Sequence, residues 1–252
     1  GIIIPPAYFS KNGIFPVVES GFSTTEVPIN GWTEYKEVSG SFIESIGNNL
    51  RAIVTTIKER YLEGREEFYT SSQLTFVDTQ LNTLSTATIS GEEVSLRSID
   101  STLLEVRTPH DYWFMENEAS EEQNLLSHSY FYISPEKSIT ELKSKRLYPQ
   151  TEFVKLDSSY LTGNFKVYSS DAQDWEERDF LSAYTLNYMR DEILAANGLR
   201  FDESSANTTF NYLQEGKEVS DNREAAIAAM NEIDRYNYEF LSKILALMQP
   251  QV

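Results

Sequence analysis

Apolar residues in the first two thirds of the chain alternate with polar residues or gather in short runs. From Phe9 to about Val167, β-branched and aromatic residues are frequent, and turn-forming pairs such as Asn30-Gly31 separate the runs. A period of two places alternate side chains on one face of a strand, and closely spaced strands pair antiparallel by default. The pattern therefore predicts a mainly antiparallel β domain. Its clearest candidate strands are 51–58, 73–77, 93–99, 102–107, 130–133 and 165–168.

The apolar spacing changes to three and four residues in the last third of the chain. From Trp175 to Ala196 this spacing projects the apolar side chains onto one side of a helix. Gly198 stands where the residue after a helix end needs a positive φ, and Phe201 is placed to fold back as the apolar anchor of that turn. A short helix is also predicted over 136–146.

A second C-terminal helix is predicted to begin near Asp221. Asp221 and Glu224 have the spacing of a capping box, in which side-chain oxygens accept from backbone N–H groups at the helix start. Apolar residues then recur every three or four positions to Met248, and Asn237 falls inside that apolar face. Because a buried amide needs partners, we expect Asn237 to bind backbone groups of the turn after Gly198 or of another helix end.

A polar stretch at 169–174 separates these two patterns. The sequence therefore predicts an α+β fold, with a mainly antiparallel β domain at 1–168 and a small helical domain at 169–252. Five carboxylates follow the boundary: Asp171, Asp174, Glu176, Glu177 and Asp179. Their spacing lacks the frame of a calcium-binding loop, whereas acidic residues are favoured in the first turns of a helix. We expect them to cap a helix, and we expect no metal site.

The segment 190–201, Arg-Asp-Glu-Ile-Leu-Ala-Ala-Asn-Gly-Leu-Arg-Phe, resembles the core of the YARHG domain. This small bacterial module has the approximate pattern Arg-Asn-Glu-Ile-Tyr-Ala-Arg-His-Gly-Tyr-x-Phe. The residues that fit are Arg190, Glu192, Ile193, Ala195, Gly198 and Phe201, and the segment 230–237 is similar to the family's closing helix. Three residues that name the family are replaced, by Leu194, Ala196 and Asn197. The match therefore implies a structural motif of Arg190, Glu192, Gly198, Phe201 and Asn237, in which Arg190 and Glu192 form a pair that ties helices together.

The YARHG resemblance covers under a third of the chain and implies a location more than a reaction. Modules of this kind are presumed extracytoplasmic, often in lipoproteins, and the family implies no established activity. We therefore expect an exported, envelope-associated binding or structural module in the periplasm or at the cell surface, with or without a lipid anchor. The candidate partners are carbohydrate, peptide or another envelope protein.

The charge and composition exclude several other classes of function. The net charge is −18, from 21 Lys and Arg against 39 Asp and Glu, and such a surface repels phosphates, so nucleic acid is not an expected partner. The absence of cysteine excludes disulfides and thiolate chemistry. No apolar run approaches the roughly 20 residues that cross a bilayer. Without a glycine-rich phosphate loop, no nucleotide cofactor is expected.

No recognisable catalytic motif accompanies the titratable residues. His110 and His128 are the only histidines, and they lack the spacing of a helical metal pair. Among 39 acidic residues, some pair will lie within the separation that glycoside hydrolysis requires. A hydrolase acting on cell-envelope or extracellular carbohydrate or peptide through paired carboxylates therefore stays as the alternative function.

Aromatic side chains supply the candidate ligand-binding residues. Tyr112 and Trp113 are adjacent in one segment, and Tyr130 and Tyr132 lie two positions apart in a predicted strand. Rings of this kind form platforms for sugars or peptides when they are exposed, although half of those on an alternating strand face a core. These four residues are the predicted binding residues.

Overall fold

The computed structural model divides the chain into two compact units. It describes residues 23–29, 32–46, 49–60, 68–80, 82–90, 94–109, 122–169, 174–201 and 207–248. The first unit comprises Gly1–Pro109 and Ser129–Leu142, and the second comprises His110–His128 and Lys143–Val252. The predicted domain boundary between 168 and 169 falls inside the second unit.

A five-stranded antiparallel sheet forms the larger part of the first unit. Its strands follow one another in the order of the sequence, so each pairs with the next. They are β1 (Ser23–Ile29), β2 (Trp32–Ile46), β3 (Leu50–Arg60), β4 (Phe68–Val77) and β5 (Thr83–Ser90). The strands predicted at 51–58 and 73–77 lie within β3 and β4, as their β-branched and apolar residues indicated.

A second sheet shares one core with the first. Its strands are β6 (Ser95–Ser98), β7 (Leu103–Pro109), β9 (Leu126–Ile133) and β10 (Ile139–Leu142), in the order β10-β9-β7-β6. Side chains from both sheets meet in this core, where the rings of Phe76 and Phe131 lie 5.4 Å apart. Its buried members are Leu50, Ala52, Val54, Leu74, Phe76, Val94, Leu104, Val106, Phe131 and Ile133.

The helix predicted over 136–146 is wrong, because this segment begins with a hairpin. The backbone N–H of Ser134 donates to the carbonyl of Ser138 at 2.9 Å, which closes the turn between β9 and β10. Lys137 within the turn has a φ of 66°, a conformation that a right-handed helix does not contain. Two of the apolar residues that suggested a helix, Ile139 and Leu142, are instead the first and last residues of β10.

The second unit combines a small antiparallel sheet with helices. Its strands are β8 (Glu122–Gln123), β11 (Thr162–Ser169) and β12 (Asp174–Phe180), in the order β12-β11-β8. The helices are α1 (Gln150–Phe153), a 3-10 turn (Ser158–Tyr160), α2 (Ala183–Ala196), α3 (Asn207–Gln214), α4 (Arg223–Ala229) and α5 (Glu232–Met248). The predicted α+β class is confirmed, with antiparallel sheets in the N-terminal part and helices in the C-terminal part. In the described part of the chain, no helix has both the length and the apolar character that crossing a membrane requires.

The helix predicted to begin at Trp175 begins later, at Ala183. Residues Asp174–Phe180 form β12 instead, which pairs antiparallel with β11 and places Trp175 opposite Tyr168. The pairing overrides the helical spacing of the apolar residues, because cross-strand contacts and ladder hydrogen bonds decide the state of a short segment. The first C-terminal helix is thus shorter than predicted.

The carboxylates predicted to cap that helix lie on β12, so their predicted role is wrong. The N-cap is Ser182, whose hydroxyl accepts from the backbone N–H of Thr185. A hydroxyl here satisfies one of the first-turn N–H groups that have no partner inside the helix. The described members of the acidic group, all exposed, are Asp174, Glu176, Glu177 and Asp179, and Asp171 lies outside the described residues.

The capping box predicted at Asp221 and Glu224 is also wrong. The N-cap of α4 is Asn222, whose side chain accepts from the backbone N–H of Ala225 at 3.0 Å. Asparagine is as good an N-cap as aspartate, so the sequence offered two adjacent candidates. The prediction of a helix start in this segment was correct to within two residues.

The single helix predicted up to Met248 is divided between α4 and α5. Met230 leaves the helix with an extended backbone, and Asn231 then accepts a hydrogen bond from the backbone N–H of Asp234 at 2.8 Å. This side chain caps a new helix, because it occupies the N–H groups that a new first turn leaves unpaired. The sequence pattern did not indicate this break, because the apolar spacing continues across it.

α3 occupies a region where the sequence pattern indicated no helix. Its residues Phe210 and Leu213 are buried against Ala195 of α2, and Phe201 packs against this cluster with its ring 5.1 Å from that of Phe210. The predicted folding back of Phe201 is therefore confirmed, and α3 is the element that it packs against.

Gly198 ends α2 as predicted. Its φ is +90°, and its N–H donates to the carbonyl of Ala195, while the N–H of Leu199 donates to that of Leu194. These two bonds satisfy helix-end carbonyls in the arrangement that favours glycine at this position. The glycine is thus required by backbone geometry.

We expect Gly198→Ala to lower the free energy of unfolding by about 1–2 kcal/mol, the usual cost of a side chain in the left-handed region. A Cβ here would also lie 3.2 Å from the carbonyl oxygen of Glu218. Gly216→Ala is the matched control, because Gly216 has a φ of +75° with no atom within 4 Å of its added Cβ. Urea unfolding should show the larger loss at Gly198, and a larger loss at Gly216 would contradict the close contact.

Candidate functional site

A buried carboxylate, Glu192, joins three segments of the second unit. One of its oxygens accepts from the backbone N–H of Leu147 at 2.6 Å and from the hydroxyl of Tyr212 at 2.7 Å. The other accepts from the backbone N–H of Tyr148 at 3.1 Å. Because Glu192 is on α2 and Tyr212 on α3, this single carboxylate connects both helices with the segment that precedes α1.

Burial raises the pKa of Glu192 above its ordinary value. The hydrogen bonds from Tyr212 and from the two backbone N–H groups act in the opposite direction, but the loss of solvent has the larger effect. The ring of Tyr212 is partly exposed, but partial desolvation and the nearby charge of Glu192 both raise the pKa of its hydroxyl. A raised carboxyl pKa is typical of general acids, yet protein donors already contact both oxygens of this one.

The raised pKa gives a testable dependence of stability on pH. Protonated Glu192 favours the folded state, so its contribution is complete below the unfolded value of 4.5 and is lost as the pH rises through the folded-state pKa. Glu192→Gln cannot titrate and leaves one buried donor poorly matched, so we expect it to be less stable by about 1–3 kcal/mol. The difference from the wild type should be largest at acidic pH and shrink towards neutrality.

Urea unfolding of the wild type and of Glu192→Gln, from pH 4 to pH 8, measures this difference. Glu215→Gln is the control, because Glu215 is an exposed carboxylate in the turn after α3. Parallel pH profiles for the wild type and Glu192→Gln would contradict the raised pKa.

A buried ion pair links the segment before α1 to α5. The guanidinium of Arg146 donates to both oxygens of Asp234, at 2.7 and 2.9 Å, and both side chains are almost fully buried. The amide of Asn197 donates to the same carboxylate at 2.9 Å. Three donors therefore compensate the desolvation of this charge.

Asn237 satisfies three backbone groups around the end of α1. Its side-chain oxygen accepts from the N–H of Leu156 at 2.8 Å, and its amide donates to the carbonyls of Thr151 and Val154. Two partners were predicted for this amide, the turn after Gly198 or another helix end. Its partners lie at another helix end, that of α1, and not in the turn after Gly198. The segment around α1 is thereby fixed to the buried face of α5.

A third buried carboxylate, Glu122, lies at the N-terminus of α2. It accepts from the backbone N–H and the hydroxyl of Ser182, both at 2.8 Å, and from the hydroxyl of Thr185. A negative charge here interacts favourably with the helix dipole, and the hydroxyls extend the cap. Glu122 therefore connects β8 to the first turn of α2.

Arg190 and Glu192 do not form the predicted pair. Arg190 donates to the neighbouring Asp191 at 2.9 Å and stays half-buried, whereas Glu192 is inside the unit. Residues two positions apart point to different sides of a helix, so a direct contact within α2 is disfavoured. Only Glu192 of this pair joins helices together.

The predicted aromatic binding residues have different environments. Tyr130 is fully buried, and its hydroxyl donates to the buried carboxylate of Glu105 at 2.6 Å, so it presents no face to a ligand. Tyr132 is exposed on the same strand. Tyr112 and Trp113, like His110, lie outside the described residues.

An exposed aromatic pair that the sequence did not single out lies on the β11–β12 hairpin. Tyr168 and Trp175 are opposite each other in the register, with ring centroids 5.6 Å apart and planes at 70°. Each keeps about two fifths of its surface exposed, 38% and 40%. Exposed large rings side by side are typical of binding surfaces.

No protein-family model, curated protein or solved structure matches this chain. The resemblance of 190–201 to the YARHG domain therefore stays a prediction that rests on those residues. Among the residues that the structure describes, no three metal-binding side chains converge on one point.

Sequence reasoning missed the partners in this network. Glu122, Arg146 and Asp234 each carry charge that local spacing assigns to the surface, and only their contacts across the unit make them buried. A weak indication existed for Asp234, which lies three residues before the predicted buried Asn237 and therefore on the same side of the helix.

Proposed function

We propose that this protein is a non-catalytic binding or structural module of the bacterial cell envelope. The observation that supports this most directly is the use of its buried carboxylates in the second unit. Glu122, Glu192 and Asp234 each accept hydrogen bonds from several protein donors. A general acid or base has to reach the reacting group of a substrate, so carboxylates engaged in this way favour a scaffold.

The envelope location is supported by the YARHG resemblance. The matching positions Gly198, Phe201 and Glu192 have structural roles in this chain, which fits a retained architecture. The tyrosine, arginine and histidine from which the family takes its name are replaced here by Leu194, Ala196 and Asn197. The proposed function therefore depends on the module as a scaffold and not on those side chains.

The raised pKa of Glu192 is the one observation that favours the alternative, a hydrolase acting on envelope carbohydrate or peptide. Against it, both oxygens of Glu192 already accept hydrogen bonds from the protein, and one neighbour, Tyr212, donates to it directly. A hydrolase would need this network to open before substrate could enter.

Co-sedimentation with washed bacterial envelopes tests the binding proposal. The full chain should bind in a saturable manner, and unlabelled protein should displace labelled protein. Because both the chain and bacterial surfaces are acidic, non-specific attraction contributes little to such binding. Failure to sediment with envelopes from any bacterial class tested would overturn the proposal.

The reading frame upstream of Gly1 in the gene tests the location independently. Export predicts a signal peptide in that frame, and a lipid anchor further predicts a lipobox cysteine at its end. A frame that encodes a cytoplasmic domain continuous with Gly1 would contradict the envelope location.

A further inference from the structure

β12 is the outer strand of the second unit's sheet, and within the part of the chain that the structure describes it pairs with β11 alone. It stands at one end of the order β12-β11-β8, and its residues 174–179 are all exposed. An edge of this kind presents N–H and C=O groups that can pair with one further strand.

One face of this edge carries the exposed aromatic pair and two carboxylates. Trp175, Glu177 and Asp179 alternate along β12 and so project to the same side, and Tyr168 lies opposite Trp175. Lys166 of β11 lies opposite Glu177. We name these five residues the β12 face.

The charge of the edge selects the kind of strand that it accepts. β12 carries four carboxylates and one guanidinium, and that guanidinium, of Arg178, already pairs with Glu176 at 2.8 Å on the other side of the strand. A second copy of this chain would bring a strand of the same net negative charge to the edge, which disfavours self-pairing. An oppositely charged strand gains from the same arrangement.

We infer that β12 pairs with an extended basic segment of a partner protein, which adds a strand to the sheet. Main-chain hydrogen bonds to β12 supply affinity, and alternate Lys or Arg side chains of the partner supply specificity. One cation would lie against the rings of Trp175 and Tyr168, where the π-system attracts positive charge. The next cation along the partner strand would contact Glu177 and Asp179. This inference rests on the proposed binding function and names its partner.

Isothermal titration calorimetry of the full chain with a synthetic peptide tests the inference. The probe is an extended peptide of about seven residues, the length of an average strand or slightly more, with Lys at alternate positions and Thr or Val between them. It should bind, whereas the same peptide with Glu in place of Lys should not. Added salt should weaken binding, because the contacts are exposed ion pairs.

Variants locate the site on the β12 face. Trp175→Ala should weaken peptide binding about five- to tenfold. Trp175→Leu keeps apolar bulk in the strand but loses the contact between ring and cation, so it should weaken binding to a similar extent. Neutralising Glu177 and Asp179 together, to Gln and Asn, should weaken it about three- to tenfold. The matched controls are Tyr184→Ala, an exposed ring on α2, and Glu215→Gln with Glu218→Gln, which change the net charge equally.

Backbone methylation of the peptide tests the strand pairing itself. In an antiparallel pair only alternate N–H groups of a strand face its neighbour. Of two peptides methylated at the odd or at the even positions, one should therefore lose binding and the other should keep it. Equal binding of both would overturn the edge pairing, and equal binding by the β12 variants would overturn the site.

The envelope assay separates failure of this inference from failure of the proposed function. If a basic protein segment is the ligand, proteinase treatment of the envelopes should abolish co-sedimentation. Two results would overturn the basic partner while leaving a binding function intact. One is envelope binding that survives proteinase treatment, and the other is competition for binding by chitin oligosaccharides that contact Trp175. Absence of envelope binding would overturn both the basic partner and the proposed binding function.

Discussion

Replacing Asp234 with alanine is expected to cost about 3–5 kcal/mol of unfolding free energy, one of the two largest effects expected in the second unit. The substitution leaves the guanidinium of Arg146 buried without its counter-ion, since both of its terminal nitrogens donate to Asp234. It also removes the acceptor of the Asn197 amide. Urea unfolding monitored by circular dichroism measures the loss.

The double variant Arg146→Met with Asp234→Leu separates the cost of an unpaired charge from the value of the pair. Well-packed apolar residues in place of a buried ion pair are often neutral or stabilising, so this variant should recover most of the stability that Asp234→Ala loses. Equal losses in the single and double variants would show that the pair itself supplies the stability.

Replacing Asn237 with leucine is expected to cost about 3–5 kcal/mol. Leucine has a similar branched shape but leaves three backbone groups without partners, namely the N–H of Leu156 and the carbonyls of Thr151 and Val154. Each buried polar group left unsatisfied costs about 1–3 kcal/mol, so these losses together exceed the gain from a larger apolar side chain. Thermal and urea unfolding should agree on the size of this loss.

Asn211→Leu is the matched control for that substitution, because Asn211 is exposed on α3. A surface change of this kind should stay within about 0.5 kcal/mol of the wild type. Asn237→Asp provides a second comparison, since a carboxylate still accepts from Leu156 but cannot donate to the two carbonyls. Similar losses at Asn211 and Asn237 would contradict the bridging role of the buried amide.

The fold class and several elements could be predicted from local sequence. The β-branched runs at 51–58 and 73–77 lie within β3 and β4, because strands of that composition bury one or both faces. Gly198 could be identified because only one residue type occupies a left-handed helix end at low cost. These features depend on a few neighbouring residues, which is the range over which sequence patterns are informative.

Other elements depend on contacts that are distant in the sequence. Apolar residues around Trp175 have helical spacing, but pairing with β11 makes the segment a strand. α4 and α5 share one continuous apolar spacing, although Asn231 starts a new helix between them. In both cases a tertiary contact or a side-chain cap outweighs the local periodicity, and neither is visible in spacing alone.

The candidate site was predicted only in part. Asn237 could be expected to bind a helix end, because an amide inside an apolar face has to find partners. Its actual partners at Thr151 and Leu156 are more than 80 positions away. Likewise, the exposed Trp175 and Tyr168 become one surface only through the register of the hairpin. Such long-range pairings require the tertiary structure.

Analysis of soluble products from washed envelopes tests the central claim, binding without catalysis, most directly. The full chain should sediment with the envelopes and release neither reducing sugar nor free amine above the level of a heat-denatured sample, at any pH between 4 and 8. Release of either product by the folded chain, abolished by Glu192→Gln in a variant that remains folded, would contradict the claim and establish the hydrolase instead.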